Sequence, residues 1–420
     1  MNGEKDPPGA TLGTAFAAFS VTALTLVLMA SLLARAGMPF IATYTISIAA
    51  CIVGTLAVSH GGRTLIALPS PAITAWLVYE EIIAHGLSWQ EMLGVAVLVS
   101  LVGAALMRTK YADTVMRTLP PVICTGLVLN LGLGMLLTAA LYARILLPSP
   151  WALSMGGTLS DPLTYYTLLG IFLTLLLYVR DVYAALPLSM LLIALLTWME
   201  GFWEIPAAPF FTPDPTSLVC ALTLPQNDLW SAAACGTVLL LALVVESTAV
   251  LAVQAHASGE QPTLARLFAM SGGAALFGAF PLTIAPLSLA LPTENTQRAA
   301  FGIPRTALLT ALLLLLLLPC APLMQALAEF PAVPAMALAV LGLRLLVRGM
   351  EMMKSTGVLS LHEGAVLATF LLTAYDIKTG LTLALVLRTL LTAARRETLV
   401  RGTLVLTTLL ALLALLKWIL

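Results

Sequence analysis

Apolar residues run along this chain in blocks of membrane-spanning length, divided by short polar or Pro/Gly-rich breaks. The blocks are 12–35, 38–59, 62–86, 88–107, 119–147, 163–179, 182–200, 229–256, 263–280, 281–302, 304–327, 332–353, 361–375, 377–394 and 402–419. A helix needs about 20 residues to cross the hydrocarbon core of a bilayer, with every backbone group bonded within the segment. The runs are continuous rather than alternating, and Leu312 to Leu318 is unbroken leucine. The pattern therefore predicts spanning helices and not the strands of a barrel. The longest interruption, GFWEIPAAPFFTPDPTSLVCALTLPQND at 201–228, is rich in Pro and aromatic residues. It separates a first half of seven segments (1–200) from a second (229–394). A further hydrophobic segment, 395–420, either crosses once more or lies along the surface.

Two segments break their own helical pattern. In GRTLIALPSPAITAWLVYEEIIAHG (62–86), the Pro69-Ser70-Pro71 cluster cannot continue a helix, because each Pro lacks an N–H and restricts the residue before it. The reading is a short extended piece, Thr64–Leu68, then a half-helix from about Ala72. PLTIAPLSLALPTENTQRAAFG (281–302) repeats this with Pro281, Pro286 and Pro292, and its half-helix is expected to open at Thr293 or earlier. Each is third in its half. Paired interrupted segments at matching positions point to a transporter's midplane site, where half-helix N-termini offer free N–H groups and positive dipole ends. The alternative is that the prolines only kink two ordinary spanning helices.

One carboxylate lies deep in an apolar run. Glu246 sits in VLLLALVVESTAVLAVQAH, with Val238–Val245 before it and Ala249–Val253 after. A charge at that depth costs at least about 2–3 kcal/mol, so such a residue faces a cavity or a partner, and function is the default reading. Glu246 is read as a group that binds and releases a proton; the alternative is a structural carboxylate bonded to a neighbouring helix. Glu80 and Glu81, about one turn from His85, mark the external interface. Asp376 and Lys378 read as a local pair in the turn between two segments. Trp76 and Phe280 either stack a planar ligand or pack.

Composition narrows the class without adding chemistry. Of 420 residues, 60% are hydrophobic and 10% charged, against roughly a quarter charged in a soluble domain. Mean hydropathy is +1.01, so lipid is the solvent. Twenty basic and twenty acidic residues cancel, and nothing suggests nucleic acid. The five cysteines have no metal-ligand spacing. No nucleophile–base set, metal cluster or phosphate loop is found, so neither an enzyme nor a cofactor site is expected. The start, MNGEKDPPGATLG, reads as a polar tail and not a cleavable signal. With the N-terminus in the cytoplasm, all basic residues but Arg35, Arg144, Lys378 and Lys417 fall inside or near the cytoplasmic face of the inner membrane. The 201–228 loop and its entry carry acids but no Lys or Arg, as an external loop should.

Several stretches resemble the xanthine/uracil permease superfamily of nucleobase–cation symporters, nearest its adenine/guanine/hypoxanthine branch. GGRTLIALPSPAITAWLVYEEIIAHGLSWQEMLG (61–94) is similar to that branch's third segment and following loop, and VVESTAVLAVQAHASG (244–259) to its eighth segment. ALFGAFPLT (275–283) resembles the entry to the tenth, and LTAYDIKTGLTLALVLRTLL (372–391) the penultimate pair. The resemblance implies an all-α polytopic fold of fourteen helices in two inverted seven-helix repeats, with core and gate domains and a short strand in the third and tenth segments. It places Glu246 on the family's substrate-binding carboxylate. Ala72 and Thr74 fall where the third segment meets the base, and Pro286, Leu287 and Ser288 on the matching stretch of the tenth. It also implies gate-mediated homodimers. Departures are evident: Leu287 stands where uracil-type members carry a second carboxylate, and Ser70-Pro71-Ala72-Ile73-Thr74-Ala75 lacks the purine branch's two glycines and Asn.

The expected function is proton-coupled symport of a small, nucleobase-like (purine-type) heterocycle through Glu246. The alternatives are an anion transporter or channel of the sulfate-permease type on the same fold, and a transport-inactive scaffold or sensor.

Overall fold

The computed structural model describes residues 8–60, 62–109, 120–147, 154–155, 160–180, 182, 185–210, 216–225, 229–254, 260–285, 288, 302–355, 360–374, 376–398 and 400–419. The first half runs α1 (Pro8–Arg35), α2 (Phe40–Ser59), β1 (Ala67–Pro69), α3 (Pro71–Trp76), α4 (Trp89–Arg108), α5 (Pro121–Tyr142), β2 (Leu146–Leu147), β3 (Ser154–Met155), α6 (Pro162–Val179) and α7 (Ala185–Met199). The helix of α3 continues over Leu77–Ala84 as a wider π turn. The second half runs α8 (Leu229–Gln254), α9 (Glu260–Leu276), β4 (Leu282–Ile284), α10 (Arg305–Leu317), α11 (Ala321–Glu329), α12 (Ala332–Ser355), α13 (Leu361–Leu372) and α14 (Ile377–Ala394). A last helix, α15 (Arg401–Ile419), packs on α14 and α8.

Among the described residues, nine helices are long and apolar enough to cross a membrane. The remaining crossings are shorter or broken. Their starts follow from local chemistry. Pro121 and Pro162 open α5 and α6 at the first helical position, where a missing N–H costs nothing. Ser88 and Glu91 form a reciprocal capping box on α4.

The two halves are related as inverted repeats, and the packing carries the relationship. The packing of α1 on α10 has its counterpart in α8 on α4; α6 on α12 is matched by α13 on α5, and α7 on α12 by α14 on α5. Elements that are each other's mates meet directly: α2 with α9, α5 with α12, and β1 with β4. The first four and matching four segments make the core domain, the others the gate domain. At the α5–α12 crossing the mates are glycines. A Cβ on Gly342 would lie 2.9 Å from the Gly132 carbonyl oxygen, and one on Gly132 3.0 Å from that of Gly342. Close backbone approach through small residues is how helices associate where lipid removes the hydrophobic driving force.

β1 and β4 pair antiparallel, with Ala67 opposite Ile284, Leu68 opposite Thr283 and Pro69 opposite Leu282. Ala285 N–H donates to Ile66 C=O at 2.7 Å. A two-stranded ribbon leaves outward backbone groups that must be satisfied within the membrane, and hydroxyls do this. Thr55 Oγ1 takes the Ala67 N–H (3.1 Å), and Ser59 Oγ both accepts from Leu65 N–H (3.2 Å) and donates to its C=O (2.7 Å). On the mate strand, Ser271 of α9 accepts from Leu282 N–H (3.0 Å) and donates to its C=O (3.3 Å). The extended piece expected at Thr64–Leu68 is thus a strand shifted to Ala67–Pro69. The shift arises because Ser70, not Leu68, ends the extended backbone by capping α3.

Candidate functional site

Four elements meet around Glu246: α8, which carries it, the N-terminus of α3, and the two strands. Ser247, its neighbour, accepts the Ile284 N–H at 3.4 Å, which sets α8 in register with β4. Glu246 is fully buried. Both carboxyl oxygens lack a completed hydrogen bond among the described residues, and the hydroxyls of Ser70 and Thr283 stand beside them. Ser70 is the N-cap of α3, its Oγ accepting from Ile73 N–H at 3.4 Å, with Pro71 at the first helical position. Thr283 Oγ1 donates to Leu68 C=O at 3.3 Å, across the ribbon. A buried carboxyl set between two hydroxyls at a helix N-terminus can take the N–H edge of a ligand or hold a proton.

The residues singled out from sequence fall as follows. Glu246 lies at the centre. Ala72 and Thr74 are buried in the first turns of α3. Ser288 is also buried, and its Oγ accepts the Ile66 N–H at 2.9 Å, tying the tenth segment to the base of β1. Pro286 and Leu287 lie outside the described residues, as does the half-helix expected at Thr293 or earlier. Phe280 is packed in the apolar interior.

Beyond Ser70, the face of α3 turns from the carboxyl toward the gate. Ala72, Ala75 and Trp76 line a cavity of about 40 Å³ against Asn130 and Gly134 of α5 and Ala374 after α13. That is room for about one water and not for a heterocycle. Asn130 is fully buried. Its amide donates to Phe370 C=O at 2.6 Å and Thr373 C=O at 3.2 Å. The sequence reading passed over Asn130 although its signal matches that of Glu246, a polar side chain at the centre of an apolar span.

At the far end of the same helix, Glu81 is wholly buried and pairs with Lys378 of α14 at 2.5 Å. His85 stands 3.5 Å from each of Glu80 and Glu81. Arg35 of α1 donates to Tyr79 Oη at 3.0 Å and lies over the Tyr142 ring of α5, 4.9 Å from its centroid.

No family model matches the sequence. Two relatives align at 26% identity. One is a protein of Methanocaldococcus jannaschii that bears a permease name, over 183 residues, 43% of this chain and 42% of the relative. The other is the guanine/hypoxanthine permease PbuO of Bacillus subtilis, over 188 residues, 42% of this chain and 44% of the relative. Each match therefore spans less than half of the relative's own length. Among solved structures, the transmembrane domain of the cyanobacterial bicarbonate transporter BicA superposes with a TM-score of 0.61 at 16% identity, covering 88% of this chain and 96% of that one. The murine anion transporter Slc26a9, in its inward-facing state, gives 0.62 at 12% identity over 94% and 70%. Permeases in sequence and a fourteen-segment inverted-repeat fold shared with BicA and Slc26a9 bear out the resemblance of this chain to the xanthine/uracil permease superfamily.

Proposed function

We propose that this protein is a secondary active transporter of a nucleobase-like, purine-type heterocycle, moved in symport with protons through Glu246. The observation that carries the reading is the Glu246 carboxyl, fully buried between Ser70 and Thr283 where α3, α8 and the β1–β4 ribbon converge. Its open oxygens suit a ring N–H, and protonation would let the carboxyl cross the membrane's low-dielectric interior without net charge. Ala72 and Thr74, with Pro286, Leu287 and Ser288 from the tenth segment, would complete the contacts. The core would rock against the gate to expose the site to alternate sides. The purine permease PbuO among the sequence relatives supports this class of substrate.

The same proposal places the N-terminus on the cytoplasmic side of the inner membrane. It assigns 1–200 and 229–394 to the two repeats, 201–228 to an external loop and 395–420 to an additional segment. A homodimer through the gate domains follows from the family resemblance.

A second reading, anion transport of the sulfate-permease type, is favoured by the fold shared with BicA and Slc26a9. Half-helix dipoles alone can hold an anion, whereas an ionised Glu246 beside the site opposes it. Leu287, in place of a second carboxylate, supports the third reading, a transport-inactive scaffold or sensor. Ligand-dependent thermal stabilisation of the purified protein separates the three. Hypoxanthine or guanine should raise the unfolding temperature. Stabilisation by sulfate or bicarbonate and by no heterocycle would transfer the function to anions, and stabilisation by neither would leave the scaffold.

A further inference from the structure

Two residues on opposite walls of the cavity between α3 and α5 each carry a buried polar atom with no hydrogen-bond partner among the described residues: Trp76, with Nε1, on the core side and Asn130, with Oδ1, on the gate side. Trp76 is 3% exposed and Asn130 0%. The amide of Asn130 cannot be reversed, because that would set its oxygen against the carbonyl oxygens of Phe370 and Thr373, acceptor against acceptor at 2.6 and 3.2 Å. Its oxygen is therefore left as an acceptor, and the indole is a donor only. Buried polar groups in a folded protein are almost always paired. An unpaired donor and an unpaired acceptor on residues that line one cavity, one from each domain, offer a half-site for a group that bonds to both.

We propose that Trp76 Nε1–H and Asn130 Oδ1 form the gate-side recognition face of the ligand site, reading an edge that offers a carbonyl acceptor and an N–H donor, as the lactam edge of a 6-oxo heterocycle does. The inference rests on the heterocycle reading above and deepens it. Glu246 and Ser70 hold one edge of the ligand within the core, and Trp76 and Asn130 select the other as the gate closes. A substrate-type edge is thereby checked on closure. An analogue without the oxo and N–H groups would leave both atoms unpaired in the closed state, and this is the condition under which hydrogen-bonding sites discriminate most strongly.

The test uses the full-length purified protein and two probes, hypoxanthine, which carries the lactam edge, and unsubstituted purine, which lacks it. Trp76→Phe removes the N–H and keeps the ring. Asn130→Leu removes the acceptor at similar volume. Binding is measured by calorimetry, and the readout is the ratio of the two affinities, which a purely structural role of either residue would leave unchanged. Each variant is expected to lose about tenfold in affinity for hypoxanthine and less than about twofold for purine. Equal losses for both probes, or no loss for either, would overturn the assignment while leaving the heterocycle reading intact. Should Asn130→Leu fail to fold, Trp76→Phe decides alone. A wild-type protein that binds neither probe would overturn the heterocycle reading and this inference with it.

Discussion

Glu81 Oε1 and Lys378 Nζ, 297 residues apart in the chain, meet at 2.5 Å with the carboxylate wholly buried. The pair fastens the end of the third segment, in the core, to the first turn of α14, in the gate. Asp376, expected from sequence to be the partner of Lys378, caps α14 instead, its Oδ1 accepting the Thr379 N–H at 3.1 Å. Removing one member of a buried pair strands the other, at a cost of about 3–5 kcal/mol. Glu81→Gln and Lys378→Met should each lower the unfolding temperature, whereas the reversed pair, Glu81→Lys with Lys378→Glu, should recover most of the loss. Thermal unfolding of these proteins in detergent, with the double variant Glu81→Gln/Lys378→Met closing the cycle, is the check; strictly additive single effects in that double variant would show that the two charges do not support each other.

The β1–β4 ribbon makes a second claim on stability. Ser271 satisfies both backbone groups of Leu282, as in the other half Thr55 takes the Ala67 N–H of β1 and Ser59 satisfies Leu65 just before it. With Ser271→Ala, a buried N–H and C=O lose their partner, at about 1–3 kcal/mol. Ser271→Thr, the residue type used at the mate position Thr55, should retain the wild-type midpoint. Wild-type stability of the alanine variant in thermal melts would mean that the strand is held by its pairing with β1 and by Ser247, without help from Ser271.

The fold was legible because lipid leaves few options: a spanning apolar run has to be a helix, and apart from the two proline-broken segments each run expected from sequence is helical over most of its described length. Proline clusters at Pro69–Pro71 and Pro281–Pro286 marked the two breaks, yet strand register was not readable there, since it depends on hydroxyls from α2 and α9 that look like any Ser or Thr in a membrane helix. Glu246 announced itself as a carboxylate in hydrocarbon. Its neighbours Ser70 and Thr283 did not, because a hydroxyl can bond to its own helix and so carries little signal. Lys378 was misassigned for a simple reason: Asp376 is two residues away, and the partner that won is in the opposite repeat.

Gly132 and Gly342 predict a sharp contrast among glycine substitutions. A methyl group on Gly342 would meet the Gly132 carbonyl oxygen and Met135 Cβ, each at 2.9 Å, and backbone atoms have no rotamer with which to retreat. Gly342→Ala should destabilise the gate by about 1–3 kcal/mol, the usual cost of overpacking. Gly273 and Gly364, in α9 and α13, have nothing within 4 Å of the same position. There, alanine should be neutral or stabilising by up to about 1 kcal/mol through helix propensity. Melting temperatures of the three variants order themselves accordingly; an undisturbed Gly342→Ala would place the α5–α12 crossing farther apart than described.

Proton coupling is the most exposed part of the proposed function, and Glu246→Gln isolates it. Glutamine matches the shape of the protonated carboxyl but cannot release a proton. Because it also removes a charge that would have to be buried, the variant should fold at least as well as the wild type. Its amide can still bond to a ligand, so affinity should change by no more than about tenfold. In reconstituted vesicles the variant should exchange substrate across the membrane down its gradient. Substrate-driven acidification should fall to the level of protein-free vesicles, and uptake should become independent of the imposed proton gradient. Undiminished proton-driven uptake by Glu246→Gln would remove the carboxyl from the coupling mechanism. Loss of exchange together with coupling, in a protein that still melts like the wild type and still binds ligand, would make Glu246 necessary for the conformational cycle itself.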